Sequence, residues 1–266
     1  MPAPPAFRLM TGGTAPDDVA ALRAVLAERL ARRGLLTAQG GWPAADTADR
    51  GGDEEEGRTA PPLPLLVPIG PGEDGDRTRA DLVRRITRVP PRTDLVLRTS
   101  GSTTGTGRLI AVSAAALVAS ARATHDRLGG PGTWLLPLPA HHVAGLQILI
   151  RSLMAATAPV VVDTSTGFSP AALAEALRSA RRSAAPTADP AAGSAATRLY
   201  VSLVPTQLVR VLREPAASRA LTEADAVLLG GAAVDPALLA RARQAGIRVV
   251  TTYGMSETGG GCVYNG

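Results

Sequence analysis

Lysine is absent from the 266-residue chain, and cysteine occurs once, at Cys262. A single thiol can form neither an intrachain disulfide framework nor a thiolate metal cluster, which fits a reducing cytosol. Cys262 itself is open to two interpretations, a catalytic thiol or a small apolar filler, and no other feature supports a nucleophile. Aromatic residues make up 3% of the chain, too few for a platform on which nucleic-acid bases stack.

Membrane signals are also missing. Residues 1–10 do not combine a basic start with an apolar core, and no apolar run approaches the roughly 18 residues that span a bilayer. The net charge of +5 comes wholly from scattered arginines, which we interpret as a solvated surface. We therefore predict a cytoplasmic protein with no nucleic-acid partner and no membrane insertion.

The first ninety residues give weak signals. Apolar residues at helical spacing over 22–30 predict one helix, which Asp17 and Asp18 can cap and Gly34 can end. Residues 40–79, rich in proline, glycine and acid, predict a loop, a short strand over 63–69 and another loop. The acidic run over 53–56 is interpreted as hydrated, with a cation site as the alternative.

From Thr93 onward, short apolar runs alternate with helical segments, a pattern typical of parallel-sheet α/β folds. Residues 182–197 break this rhythm and predict a flexible surface insertion. We therefore divide the chain into an N-terminal helix with a loop-rich segment, residues 1–92, and an α/β core, residues 93–266. Strands are predicted over 95–97, 109–112, 134–138, 160–162, 199–204, 226–229 and 247–250. Helices are predicted over 113–127, 143–154, 170–181, 206–213 and 236–245.

A first candidate site is the glycine–hydroxyl segment, residues 99–108, which reads Thr-Ser-Gly-Ser-Thr-Thr-Gly-Thr-Gly-Arg. Glycines let backbone N–H groups approach an anion, hydroxyls add donors, and Arg108 adds a permanent positive charge, so the segment suits phosphate. A flexible loop between two strands is an equally open alternative, because neither the Walker nor the Rossmann glycine spacing is present.

A second candidate is the glutamate segment, residues 251–261, which reads Thr-Thr-Tyr-Gly-Met-Ser-Glu-Thr-Gly-Gly-Gly after an apolar strand. Ligands bind where strands end in open α/β sheets. There Tyr253 could stack on a base, Ser256 could bind a phosphate and Glu257 could hold magnesium. An ordinary glycine-rich turn is the alternative, and a serine-hydrolase elbow at Ser256 fails at Thr258, where that motif needs glycine.

Four motifs in order make the chain similar to the adenylate-forming superfamily of acyl-CoA synthetases, luciferases and peptide-synthetase adenylation domains. They are Thr-Ser-Gly-Ser-Thr from 99, Pro-x-His-His-x-x-Gly from 139, Gly-Gly-Ala from 230 and Tyr-Gly-Met-Ser-Glu from 253. Residues 138–147, 201–208 and 253–258 most resemble the o-succinylbenzoate-CoA ligases of menaquinone biosynthesis. The resemblance covers residues 93–266 well and the first ninety weakly.

The resemblance implies the large N-terminal domain of the adenylate-forming fold, mostly parallel sheets flanked by helices, with the C-terminal lid domain missing. It implies an acid–thiol ligase that uses ATP and Mg²⁺ to adenylate an aryl or acyl carboxylic acid, here o-succinylbenzoate, and transfers it to coenzyme A. A homodimer is an assembly the resemblance allows. Another aryl or acyl-CoA ligase, or a non-catalytic nucleotide-binding fragment, is the alternative function.

Roles follow from the resemblance residue by residue. Glu257 would bind magnesium, and His142 would lie between the acyl pocket and the nucleotide. These two residues would form the catalytic pair. For His142 the alternative is packing at a helix start. Val204, Pro205, Thr206 and Gly254 would help to form the acyl pocket. The nucleotide would be bound by Ser100, Gly101, Ser102, Thr103, Thr104 and Arg108 at the phosphates, Gly230, Gly231, Ala232 and Tyr253 at adenine, Ser256 at the α-phosphate, and Gly254.

The chain departs from the family pattern in places. The glycine–hydroxyl segment has an extra threonine, Gly107 in place of proline and Arg108 in place of lysine, which puts the register of individual phosphate contacts in doubt. The sequence stops at Gly266, before the family's ribose-binding aspartate and the C-terminal domain with its catalytic lysine. We therefore expect an incomplete chain with weak or no adenylation activity.

Overall fold

The computed structural model describes residues 5–37, 63–99, 107–183 and 198–265, which form two β-sheets packed with helices. The strands are β1 (Phe7–Thr11), β2 (Leu65–Ile69), β3 (Leu95–Arg98), β4 (Leu109–Val112), β5 (Gly132–Leu136), β6 (Val160–Val161), β7 (Arg198–Leu203), β8 (Ala226–Leu229), β9 (Val249–Met255) and β10 (Gly260–Asn265). The helices are α1 (Pro16–Arg32), α2 (Gly75–Arg85), α3 (Ala114–Arg127), α4 (Val143–Met154), α5 (Pro170–Ser183), α6 (Pro205–Arg213), α7 (Pro215–Leu221) and α8 (Pro236–Gln244). A 3₁₀ turn, Ser256–Thr258, separates β9 from β10.

Both sheets are mostly parallel. Sheet A has the order β1-β2-β3-β4 and sheet B the order β10-β9-β8-β7-β5-β6. In each sheet one edge strand is antiparallel, β4 against β3 and β10 against β9. The predicted class, mostly parallel sheets flanked by helices as in the adenylate-forming fold, is confirmed.

The parallel register places the carboxyl ends of the sheet B strands at one edge. Leu203 of β7 pairs with Leu229 of β8, which in turn pairs with Thr251 of β9. On the other side of β7, Leu135 of β5 pairs with Val201. The segments that follow β5, β7 and β8 therefore begin side by side, next to the last residues of β9.

Apolar side chains form three buried clusters. Helices α1, α3 and α4 share one cluster with residues of both sheets, including Leu66 of β2 and Trp134 of β5. Helices α5 to α8 cover the other face of sheet B, and Leu82 of α2 packs with β1 to β3 on the outer face of sheet A. Helix α4 is the most buried of these, because ten of its residues, Gly145 through Met154, are buried.

Several predicted elements match the structure closely. Helix α4 and strand β8 have the predicted bounds. Helix α1 ends at Arg32, and Gly34, the predicted stop, follows two residues later with a positive φ of 68° that allows the chain to turn. Its start was predicted wrongly in one detail: Asp17 and Asp18 lie in the first turn, and Ala15 is the N-cap with no side-chain bond.

Other predictions were wrong or fall outside the described residues. The loop predicted up to residue 79 gives way to α2 at Gly75, capped by Asp74, whose side chain accepts from the Asp76 and Arg77 amides. Strands β1 and β10 and helix α7 were not predicted. Helix α5 continues to Ser183, so the predicted insertion begins no earlier than 184, and residues 184–197 and the acidic run 53–56 lie outside the described residues.

The boundary predicted at 92/93 falls inside sheet A. Leu66 of β2 pairs with Leu95 of β3, so the N-terminal segment shares a sheet with the core. The division remains a prediction. Within the described ranges, no helix has the length and apolar character needed to cross a membrane.

A buried ionic cluster joins α1 to sheet A and α3. Asp94 is 2% exposed and accepts hydrogen bonds from the Arg33 Nε at 2.9 Å and the Ala114 amide at 2.8 Å. The Arg29 guanidinium lies 3.6 Å from the same carboxylate and also donates to the Pro64 carbonyl. Burial lowers the pKa of Arg29, while Asp94 opposes that effect. Asp94 therefore neutralises a buried cation.

We predict that Asp94→Asn lowers the free energy of unfolding by about 3 kcal/mol, because Arg29 would stay buried without its counter-charge. Urea unfolding measures this change. Asp81→Asn is the matched control, since Asp81 also pairs with two arginines, Arg84 and Arg85, but on an exposed helix face. It should cost less than about 1 kcal/mol. Equal losses in the two variants would contradict the assignment.

Candidate functional site at the carboxyl edge of the sheets

The two candidate segments meet in space. The Arg108 guanidinium, at the end of the glycine–hydroxyl segment, lies 2.8 Å from the Glu257 carboxylate in the glutamate segment. The ends of the first segment are also paired with each other: the Thr99 amide donates to the Arg108 carbonyl at 3.0 Å, and the Arg108 amide donates to the Thr99 hydroxyl at 2.8 Å. A cation from one segment thus faces an anion from the other.

Five of the predicted phosphate-binding residues lie outside the described part of the chain. They are Ser100, Gly101, Ser102, Thr103 and Thr104. The residues on either side of them, Thr99 and Gly107, are described. Their positions fix where the glycine–hydroxyl segment leaves and rejoins sheet A, directly beside Glu257.

The turn that carries Ser256 and Glu257 is held by its neighbours. The Thr258 hydroxyl accepts from the Met255 amide at 3.0 Å, and Gly259 has a left-handed φ of 67°. The Gln147 side chain of α4, which is fully buried, donates to the Gly259 carbonyl at 2.5 Å. Because a side chain of the buried helix α4 forms a hydrogen bond to this turn, packing in the core determines the position of Glu257.

The predicted adenine-binding residues lie at the same edge. Gly230 follows β8 directly, and a Cβ there would come within 2.7 Å of the Thr252 carbonyl of β9. Gly231 has a φ of 81°, and with Ala232 it is exposed. Tyr253 on the adjacent strand is 59% exposed. The structure thus brings a glycine turn and a free aromatic ring to neighbouring strand ends.

A cavity of about 290 Å³ lies beyond the ends of β7 and β8. Pro205 and Thr206, two of the predicted acyl-pocket residues, line it together with residues of α6 and α8. Val204, another of them, lies beside the glycine turn instead: its Cγ1 would lie 3.2 Å from a Cβ on Gly231. Gly254 lies in β9 with no space for a side chain against the Gly260 backbone.

His142 is the N-cap residue of α4, at the carboxyl end of β5. Its ring lies 4.1 Å from the ring of His141, centroid to centroid. Burial lowers the pKa of His142, His141 lowers it further, and the nearby Glu73 carboxylate acts in the opposite direction. His142 is therefore a neutral imidazole near pH 7, able to donate or accept a hydrogen bond at the edge.

The structure adds residues that sequence reasoning missed. The His141 amide and its Nδ1 both donate to the Gly12 carbonyl, at 2.5 Å and 2.6 Å, which ties the end of β1 in sheet A to the end of β5 in sheet B. Glu73 accepts from the Gly70 amide at 2.7 Å and pairs with Arg98, the last residue of β3. These partners lie far apart in sequence, so no local spacing signals them.

A further polar group lies deep in the core beside the site. Arg151, one turn after Gln147 on α4, is 4% exposed, and its guanidinium lies 4.7 Å from the centre of the Trp134 ring. Burial lowers its pKa to about 10. Within the described ranges its Nε has no hydrogen-bond partner, and neither does the Gln147 Oε1.

The donors near the glutamate segment suit one hard cation in the presence of phosphate. In the part of the chain that the structure describes, no group of three or more His, Cys, Asp or Glu residues could form a complete metal site. Glu257 offers one carboxylate. Magnesium is commonly held by one or two carboxylates together with substrate phosphates, so a single glutamate fits that use.

The chain is similar in sequence to a known family and to named relatives. The family model described as AMP-binding enzyme matches residues 71–266. A protein of Mycobacterium tuberculosis described as "Probable 2-succinylbenzoate--CoA ligase" is 49% identical over 172 residues, which is 65% of this chain and 41% of that protein. The chain thus spans about two fifths of the length of this relative.

Solved structures share the fold. The o-succinylbenzoate coenzyme A synthetase of Bacillus subtilis in complex with AMP has a TM-score of 0.60 and 17% identity, over 98% of this chain and 63% of that chain. The same enzyme in complex with ATP and a magnesium ion has a TM-score of 0.54 and 21% identity, over 75% of this chain and 38% of that chain. At these identities the likeness concerns the fold alone.

We predict that Gly230→Ala lowers the free energy of unfolding by about 1–3 kcal/mol, because the added methyl would press on the Thr252 carbonyl and separate β8 from β9. Gly75→Ala is the control: its Cβ would meet only Leu9 at 3.8 Å, and alanine favours the start of α2. Chemical denaturation of both variants measures the difference. A neutral Gly230→Ala would show that this strand end has room to relax.

Proposed function

The chain belongs to the family of AMP-binding enzymes, and from this membership we propose that it is the nucleotide- and acyl-binding part of an AMP-forming acid–thiol ligase acting on o-succinylbenzoate. The observation that carries the proposal is the contact between Arg108 and Glu257, which joins two segments expected to bind one nucleotide. The 49% identical relative supports the choice of acid. The activity of the whole enzyme, its acid and its thiol are parts of this proposal.

The proposed reaction has two steps. An oxygen of the acid's carboxylate attacks the α-phosphorus of ATP while the bond to pyrophosphate breaks, which gives an acyl-adenylate and pyrophosphate. The thiol of coenzyme A then gives up its proton to solvent, its sulfur forms a bond to the acyl carbon, and the bond from that carbon to the phosphate oxygen breaks, so that AMP leaves with the bonding electrons. No side-chain nucleophile is needed, so catalysis rests on positioning and on neutralising charge.

In this proposal, each residue at the carboxyl edge of the sheets has its own role in binding or in positioning the reactants. Arg108 and the hydroxyl groups of the glycine–hydroxyl segment would hold the β- and γ-phosphates, and Ser256 the α-phosphate. Tyr253 would stack on adenine beside Gly230 and Ala232. His142 would separate the acid from the nucleotide and donate a hydrogen bond to the reacting oxygens, for which its neutral imidazole is suited.

Glu257 would hold Mg²⁺, which supplies positive charge to the phosphate oxygens when it is bound. In the structure this carboxylate is paired with Arg108, so the two groups must part before each meets its own ligand. Both are at the surface, where such a pair contributes at most about 1 kcal/mol, so nucleotide binding can replace it.

A non-catalytic nucleotide-binding module is the second candidate. It would use the same nucleotide contacts without any acid-dependent exchange. A homodimer also remains a prediction.

We predict that Glu257→Gln weakens magnesium-dependent ATP binding about tenfold, because an amide is a poor magnesium ligand. Isothermal titration with ATP, with and without Mg²⁺, measures this loss. Glu28→Gln is the control, since Glu28 also pairs with arginine but lies on α1. An unchanged magnesium dependence in Glu257→Gln would remove Glu257 from the site.

A panel of acids tests the reaction. We expect the chain to bind MgATP and to catalyse slow ATP–pyrophosphate exchange with o-succinylbenzoate, and none with benzoate or a fatty acid. Exchange with another acid instead would overturn the substrate. MgATP binding without exchange for any acid, in a chain extended through any downstream coding sequence, would favour the non-catalytic module. No MgATP binding would refute both functions.

A further inference from the structure

The hairpin formed by β9 and β10 is held against helices α3 and α4 by polar side chains. Gln147 of α4 is fully buried, and its amide nitrogen donates to two backbone carbonyls, those of Leu117 on α3 at 3.1 Å and Gly259 at 2.5 Å. On α3, the Ser120 hydroxyl donates to the Gly261 carbonyl at 3.3 Å. The hairpin is therefore attached to both helices, and most deeply through Gln147.

The Gln147 side chain is closely packed against the hairpin. A Cβ on Gly260 would come within 2.9 Å of the Gln147 Cγ, so the backbone of β10 lies directly on the glutamine. The two carbonyls fix the orientation of the amide, because only its nitrogen can donate to them. The Gln147 Oε1 has no hydrogen-bond partner among the described residues. Burying an acceptor without a donor is unfavourable, so an apolar side chain of the same length would suit this position better if packing were its only purpose.

Helix α4 is connected to both residues of the proposed catalytic pair. His142 is its N-cap, and Gln147 follows about one and a half turns later, within a run of ten buried residues. Gly259, which accepts the bond from Gln147, comes directly after the Ser256–Thr258 turn that contains Glu257. One buried helix thus places His142 at its start and Glu257 through a side chain.

We propose that Gln147 is a positioning residue for magnesium-dependent nucleotide binding, whose buried amide holds the turn so that the Glu257 carboxylate keeps its place relative to His142. This inference rests on the proposed function. The surface pair with Arg108 cannot hold Glu257 in this role, because it must open when the ligands bind. A carboxylate that is already in place loses less conformational entropy when it meets a cation. A loosened turn should therefore weaken the contribution of Mg²⁺ to binding and leave the metal-free affinity for ATP almost unchanged.

Gln207 of α6 provides a matched control. It is also buried, and its amide nitrogen donates to the Pro137 carbonyl at 3.0 Å, while its oxygen accepts from the Val204 amide at 3.1 Å. Neither bond involves the turn that carries Glu257. Gln147→Met and Gln207→Met each remove one buried amide and keep a side chain of similar length, but only Gln147→Met releases the turn.

We expect Gln147→Met to reduce the gain in ATP affinity that Mg²⁺ provides about fivefold, with the affinity in EDTA within about twofold of the parent chain. Isothermal titration with ATP, in Mg²⁺ and in EDTA, measures both values, and urea unfolding establishes that each variant is folded under the conditions of the titration. Gln207→Met should keep the parental gain. An unchanged gain in folded Gln147→Met, or an equal loss in Gln207→Met, would overturn the proposal.

A double variant shows whether Gln147 acts through Glu257. In the Glu257→Gln background the carboxylate that would meet magnesium is already gone. Adding Gln147→Met there should change MgATP affinity less than about twofold, because both substitutions act on one interaction. Losses that add in the double variant would mean that Gln147 acts by another route, and would refute its role as a positioning residue for Glu257.

An NMR measurement needs no nucleotide. In Gln147→Met the backbone amide signals of Glu257 and Gly259 should shift and their hydrogen exchange should become faster, since the turn loses its bond to α4. In Gln207→Met they should keep their parental positions and rates. If the parent chain binds no MgATP, the proposed function fails, and these signals decide separately whether Gln147 holds the turn. Unmoved signals in Gln147→Met would show that it does not.

Two further measurements cover the case in which Gln147→Met does not fold. Gln147→Asn keeps an amide but is one methylene too short to reach the Gly259 carbonyl, so it should show the same loss of magnesium dependence. In the parent chain, the side-chain amide signals of Gln147 should shift on addition of MgATP, and those of Gln207 should not. Parental magnesium dependence in Gln147→Asn, or Gln147 signals that ignore MgATP, would contradict the proposal.

Discussion

Parallel strand pairing is the constraint on which the site depends. Because β5, β7, β8 and β9 run in one direction and stay in register, the polar segments that follow them converge on one edge. Sheet A brings its own strand ends to the same place through the bonds from His141 to Gly12. Residues that are more than a hundred positions apart in the chain thereby become neighbours, and the chemistry assigned to them follows from that convergence.

The strength of each contact determines which parts can move. The ionic cluster around Asp94 is buried and joins three elements, so breaking it carries a large penalty. The pair between Arg108 and Glu257 is exposed, and such pairs contribute little. The turn below Glu257 is fixed instead by the buried Gln147. The fold thus combines a rigid support with surface charges that can change partners.

Much of the core could be predicted from sequence, because periodic apolar residues mark elements such as α4 and β8. Helix α2 was missed since it buries only Leu82, too little for a periodic signal, although the cap at Asp74 was a usable sign. Strand β10 reads as a glycine-rich turn and gains its structure from pairing with β9.

In the candidate site, too, some residues could be predicted from local sequence patterns and others could not. Arg108 and Glu257 could be recognised because each stands in a local motif, and the structure brings them together. Glu73, Arg98 and Gly12 belong to no local pattern, since their partners are brought near by sheet register and by the meeting of two sheets. The side chains proposed to bind ligands carry a signal in sequence, whereas the residues that contact them from distant parts of the chain largely do not.

The double bond of His141 to one carbonyl also fixes the chemistry of its ring. A carbonyl oxygen can only accept, so the Nδ1 that lies 2.6 Å from the Gly12 oxygen must carry a hydrogen. Of the two tautomers of a histidine ring, this bond therefore selects the one with its hydrogen on Nδ1 and its lone pair on Nε2. The backbone at the end of the first strand thus determines which ring nitrogen of this imidazole is left to meet other groups.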